Sequence, residues 1–123
     1  MKIEISNGEF LDKLSILEIK SQRLNNEKQL ANVDKELRSL LLIADDLLKA
    51  CNEHYRKLIE VNNELWTIED KIREFERDED FGQDFISTAR LVYIKNDERA
   101  LIKREINKIT GSNFLEEKSY QPY

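Results

Sequence analysis

Two groups of residues have the types and spacing to do chemistry. The first is the block Asn62-Asn63-Glu64-Leu65-Trp66-Thr67-Ile68-Glu69-Asp70-Lys71-Ile72-Arg73. The second is Tyr93-Ile94-Lys95-Asn96-Asp97-Glu98-Arg99. Asn62 and Glu69 interrupt an apolar series that runs Leu48, Cys51, Tyr55, Leu58, Leu65 and Ile72, where packing alone would select Leu or Ile. Asn96 and Arg99 interrupt a second series through Phe85, Ala89 and Val92 in the same way. An unpartnered carboxylate buried in such a seam costs several kcal/mol, so the reading requires a partner facing Glu69. Asn amides orient a ligand by two-way hydrogen bonds, Arg73 and Arg99 would neutralise an anion, and Trp66 or Tyr93 would supply a stacking face. Glu69 and Asp70 could instead serve as acid and base, or hold Mg²⁺. Asp12, Ile16 and Lys20 share one helical face, so Lys20 is a further candidate, entering the cluster or snorkelling beside the core.

Each of these residues also has a plain structural reading. Asn62 with Asn96 could be a buried amide pair that fixes register, as a core Asn does in coiled coils. Glu69 with Arg73 has the spacing of an exposed ion pair, and Trp66 that of a core residue. His54, the only histidine, has no evident carboxylate partner in the sequence. No phosphate loop, metal-ligand cluster or nucleophile with a visible base is present. Nucleotide pyrophosphohydrolases of the all-α type need two separated acidic motifs. Here the second helix offers only Asp97-Glu98, which counts against that chemistry.

The elements that position these residues follow from periodicity. Charged residues make up 37% of the chain, but they alternate with apolar ones at helical spacing and so read as solvated helix faces. Three Gly and one Pro, with none between residues 9 and 81, favour an all-α chain. The expected architecture is an up-down bundle of four helices in one domain spanning 1–123. An extended arm covers 1–6 and a tail covers 112–123. Ser6-Asn7-Gly8-Glu9 has the form of a capping box opening a helix over Asn7 to Leu24. Asn25-Asn26 would close it in left-handed geometry. Residues 27–77 form an unbroken apolar pattern about 75 Å long if one helix, the three-helix alternative. Ala44-Asp45-Asp46 is the expected turn if there are two, with an Asp as cap. The last helix starts at Gln83 or Asp84, buries Leu91 to Ile94 on most sides, and ends at Thr110 before Gly111.

A short loop near residue 79 or 80 makes the third and fourth helices antiparallel neighbours. Facing positions then place Asn62 opposite Asn96 and Trp66 near Tyr93, a polar pocket between the two helices. Net charge is −5 with no basic stripe, which speaks against nucleic acid as a partner. One cysteine excludes an internal disulfide, and Cys51 reads as a buried apolar thiol. The start lacks a signal-peptide core and no apolar run could cross a bilayer, so membrane insertion is not expected and a cytoplasmic location is. No cofactor is expected, apart from Mg²⁺ under the enzyme alternative.

The segments Gly8-Glu9-Phe10-Leu11-Asp12-Lys13-Leu14-Ser15-Ile16-Leu17-Glu18-Ile19-Lys20, Asn62 to Arg73 and Asn96-Asp97-Glu98-Arg99 together resemble domain-of-unknown-function family 6165 of bacteria. The likeness extends through the Glu117-Lys118-Ser119-Tyr120 tail. It implies a helical protein encoded near lipopolysaccharide and glycosyltransferase genes, with no assigned chemistry. The expected function is a binding or accessory module for a small anionic or sugar-nucleotide ligand, with homodimerisation as a further way to cover exposed seam surface. The alternatives are a small all-α enzyme acting on an anionic metabolite and a purely structural or oligomerisation module.

Overall fold

A computed structural model describes all 123 residues. Four α-helices account for the ordered elements: α1 (Asn7–Arg23), α2 (Glu27–Ala50), α3 (Asn52–Arg77) and α4 (Gln83–Thr110). They form a four-helix bundle, the expected class, and none is long and apolar enough to cross a membrane. Polar side-chain contacts fix the directions. Lys13 to Glu36 sets α1 against α2, and Lys95 to Glu64 (2.7 Å) with His54 to Glu105 (3.1 Å) sets α3 antiparallel to α4. The α3–α4 register is the one that the loop position predicts. His54 therefore does have a carboxylate partner, contributed by the facing helix where sequence proximity could not reveal it.

The break in the long apolar pattern lies at Cys51, not at Ala44-Asp45-Asp46. Asp45 stays in helical backbone and pairs with Lys49 at 3.0 Å, so it caps nothing. At Cys51 the backbone alone departs from helical angles, with φ −125° and ψ 32°. Its N–H still bonds to the Leu47 carbonyl and its own carbonyl still accepts from the Tyr55 N–H, so Cys51 itself keeps both backbone bonds. Small side chains fit this corner: Ala44 and Cys51 are both buried in the main core with Phe10, Leu14, Leu58 and Ile106. Burial pushes the Cys51 thiol pKa up, away from the thiolate a nucleophile would need.

Asn25-Asn26 acts differently from the expectation. Leu24 leaves α1 in extended backbone, and the Asn26 side chain caps α2 by accepting from the Gln29 amide at 3.0 Å. Leu91 and Tyr93 are exposed, so the turn around them is open on its outer side instead of buried. The helices against which α4 chiefly packs are α1 and α3.

The N-terminus of α1 is seated on the end of α4, and this joint aligns the site. Helix starts carry free N–H groups that need acceptors. Here Asn7 N donates to Ser112 Oγ, Gly8 N to Asn107 Oδ1 at 2.6 Å, Glu9 N to Ser6 Oγ and Phe10 N to the Ser6 carbonyl. Only the serine half of the capping box forms, because the Glu9 carboxylate is drawn across to Lys103 at 2.7 Å. Gly111 turns the chain out of α4 in left-handed geometry (φ 62°), which brings Ser112 round to Asn7. Gly8 allows the two backbones to meet. A Cβ there would overlap the Lys103 carbonyl and stand 2.9 Å from Asn107 Oδ1. Gly8→Ala is therefore expected to destabilise the protein by about 1–3 kcal/mol, read as a lowered urea midpoint with unchanged slope.

Candidate functional site

Asp12 is the residue around which the site is built, and it lies within the apolar face of α1 between Leu11 and Leu14. Its surface is 1% exposed. Arg99 of α4 grips it bidentately, Nε to Oδ1 at 2.8 Å and Nη2 to Oδ2 at 2.5 Å. Asn62 of α3 donates Nδ2 to Asp12 Oδ1 at 3.0 Å and to Ser15 Oγ at 2.8 Å, while Ser15 donates back to the Asp12 carbonyl. Three helices are thus joined by one charge-assisted network in which every buried carboxylate oxygen has a donor. Hydrogen bonding to Asp12 raises the Arg99 pKa against the opposing cost of burial, so the guanidinium stays charged.

One helical turn along α4, Lys103 lies between Glu9 of α1 and Glu116 of the tail, at 2.7 and 3.3 Å. Burial pulls its pKa down, but the Glu9 hydrogen bond and the charges of Asp12 and Glu116 more than offset this, and the net direction is up.

Above the network an open cleft of about 440 Å³ lies among α1, α3 and α4. Its floor is Asn62, Asn96 and Arg99, its apolar wall is Ile16, Ile19 and Leu65, and Trp66, Glu69, Asp70 and Arg73 form the rim. Seven of the predicted residues therefore meet at one place. Lys20 does not line this cleft. Tyr93 points to a different cavity on the outer side of α4, with its ring 5.2 Å from that of Tyr123. Trp66 and Tyr93 therefore line different cavities.

The register-fixing amide pair is not formed. Asn62 spends both Nδ2 bonds on α1, and Asn96 instead donates to the Val92 carbonyl at 2.9 Å and accepts from Arg99 at 3.4 Å. Glu69 is partly exposed and pairs with Arg73 at 2.6 Å, so the buried carboxylate that demands a partner is Asp12. Asp12 and Ser15 are the residues that sequence reasoning underrated. Their signal was an Asp and a Ser alternating with Leu11, Leu14 and Ile19 on a single apolar face. The Trp66 ring is backed by Arg23 at 5.8 Å, and Arg23 is itself held by Asn63 and Thr67. Such an Arg both fixes the ring and leaves its other side for contact.

No three His, Cys, Asp or Glu side chains converge anywhere in the chain. Glu69 is already paired with Arg73, which leaves Asp70 as the carboxylate of the cleft without an ion pair. What the cleft does offer is hydrogen bonding. Asn62 Oδ1 has no partner in the protein, and Arg99 and Asn96 retain N–H groups beyond those engaged.

Removing one partner of a buried ion pair costs more than the pair itself contributes, because the other charge is stranded. Arg99→Ala is expected to lower stability by roughly 3 kcal/mol, with Arg99→Lys intermediate because a lysine cannot grip both oxygens. A chemical-denaturation series checks this, and equal stability of all three proteins would contradict the central role of the pair.

Comparison with known proteins gives one finding. No curated protein and no solved structure matches the chain. A family model does, over residues 1–123. The chain belongs to DUF6165, a family of unknown function.

Proposed function

We propose that the protein is a binding or accessory module whose cleft among α1, α3 and α4 takes a small polar ligand. The observation that carries this reading is the preorganised floor. Asn62 and Arg99 are locked by a buried carboxylate, yet both face an open cleft with unused hydrogen-bonding capacity. Polar groups fixed in advance lose little freedom on binding, and an apolar wall beside them excludes water.

Charge pairing narrows the ligand. Arg99 is neutralised by Asp12 and Arg73 by Glu69, and Asp70 has no cation. A free phosphate or dicarboxylate gains little from such a cleft. An uncharged portion rich in hydroxyl or amide groups gains more. The saccharide end of a sugar-bearing metabolite fits that description and agrees with the glycan setting that the family resemblance implies.

A thermal-stability panel of neutral sugars, phosphosugars, nucleotides and sugar nucleotides tests the reading. A ligand at a hundred times its dissociation constant adds about 2.7 kcal/mol. The response is expected to weaken at least tenfold in Trp66→Ala and Arg73→Ala, which touch the rim and leave the Asp12 network intact. A blank panel, or a response unchanged in both variants, would defeat the proposal.

A second reading, an interaction module, is favoured by one observation. Leu41, Leu42 and Ile43 form an exposed apolar run on α2, with Leu42 84% exposed. Exposed clusters of this kind commonly mark protein contacts. Light scattering is expected to give twice the chain mass in the native protein and the single mass in Leu42→Glu. A native protein of single mass at high concentration would remove homodimerisation.

A further inference from the structure

The tail beyond α4 is held in place by charge while its aromatic rings stay in solvent. The Arg104 guanidinium donates to the Glu116 carbonyl and to the Glu117 carboxylate, both at 2.7 Å, and Lys103 meets Glu116. At the far end, Tyr123 donates its hydroxyl to Asp97 at 2.7 Å, which raises the Tyr123 pKa. Ordering such a segment costs on the order of 1–2 kcal/mol per residue in backbone entropy. Burial of the rings does not repay it: Tyr120 is 78% exposed and Tyr123 80%. Between this strap and the outer side of α4 lies a cavity of about 790 Å³. Three tyrosine rings (Tyr93, Tyr120 and Tyr123) line it, together with the amides of Asn96 and Gln121 and the ammonium of Lys118.

The chemistry of these groups is specific. Exposed aromatic faces stack on flat rings at about 1–3 kcal/mol per ring, largely whatever the ring's identity. A side-chain amide pairs a donor and an acceptor with the edge of a nucleobase. Gln121 makes no hydrogen bond within the protein, so both ends of its amide are free for such an edge. Lys118 has no carboxylate within ion-pair distance and rests 5.3 Å over the Tyr120 ring, close enough to meet a phosphate attached to a stacked base. Asp97, the carboxylate of the lining, is occupied by Tyr123. The acidic net charge speaks against a nucleic-acid polymer but not against a single nucleotide.

We infer that the cavity under the C-terminal strap is a second binding site, for the flat heterocyclic base of a free nucleoside or nucleotide. It is separate from the cleft described above, although Asn96 borders both, and it does not rest on that reading.

Calorimetric titration of the full chain with adenosine, uridine and AMP provides the test. Tyr120→Ala should weaken binding at least tenfold, whereas Tyr120→Phe, which keeps the ring, should stay within about twofold of the native protein. Gln121→Ala should reduce the preference between adenosine and uridine, and added salt should weaken AMP but not adenosine. Because Tyr120 is exposed, its variants should fold normally. The inference is overturned if none of the three probes binds, or if Tyr120→Ala binds as well as the native protein. Binding that survives Tyr120→Ala but is lost in Trp66→Ala would place the ligand in the first cleft, which overturns this site and upholds the earlier reading. Nucleoside binding lost in Tyr120→Ala, beside a first cleft that takes nothing, would support this site alone.

Discussion

The structure depends on one buried carboxylate. Asp12 sits where a Leu would pack, and a charge there is tolerable only if its oxygens are fully engaged. Arg99 and Asn62 supply that engagement from two other helices. The requirement fixes three axial positions at once: α1 against α4, α1 against α3, and so α3 against α4. An apolar core of Leu and Ile would have allowed several registers at similar energy. The network trades some stability for a single arrangement and presents two polar side chains at the base of a cleft.

A second constraint works alongside it, where the start of α1 meets the end of α4. Gly8 lets the backbones approach, Asn107 and Ser112 accept the free amides, and Lys103 with Glu9 closes the neighbouring turn. Gly8, Asn107 and the Lys103–Glu9 pair lie along the same two helices as Asp12 and Arg99, with Ser112 just beyond the end of α4. Lys103 then extends the same chain of charges to Glu116, and through it to the strap. Core, cleft and tail are linked by consecutive turns of α4.

The two cavities differ in character for reasons of charge. In the cleft each guanidinium is matched by a carboxylate, so what remains for a ligand is hydrogen bonding and one aromatic edge. Under the strap the rings dominate, one amide is entirely free, and Lys118 is the cation available. Asn96, which borders both, bonds to its own helix and to Arg99.

Much was legible in the sequence because it depends on local periodicity. The helical class, the limits of α4, the antiparallel α3–α4 register and the gathering of Asn62, Trp66, Glu69, Asp70, Arg73, Asn96 and Arg99 follow from residue spacing and loop position. The side-chain partners did not follow, because a bond between Asp12 and Arg99 spans most of the chain. Only the folded arrangement decided that Asn62 turns to α1 and not to Asn96, and that Glu69 remains at the rim. The corner at Cys51 was hidden for a related reason: it has no capping side chain, Gly or Pro, and is made by packing against the core. Tyr93 and Lys20 carried the right chemistry at plausible helical positions. Which way a half-buried position faces is decided by the neighbouring helices, and here Tyr93 lines the cavity on the outer side of α4 and Lys20 is not part of the cleft lining.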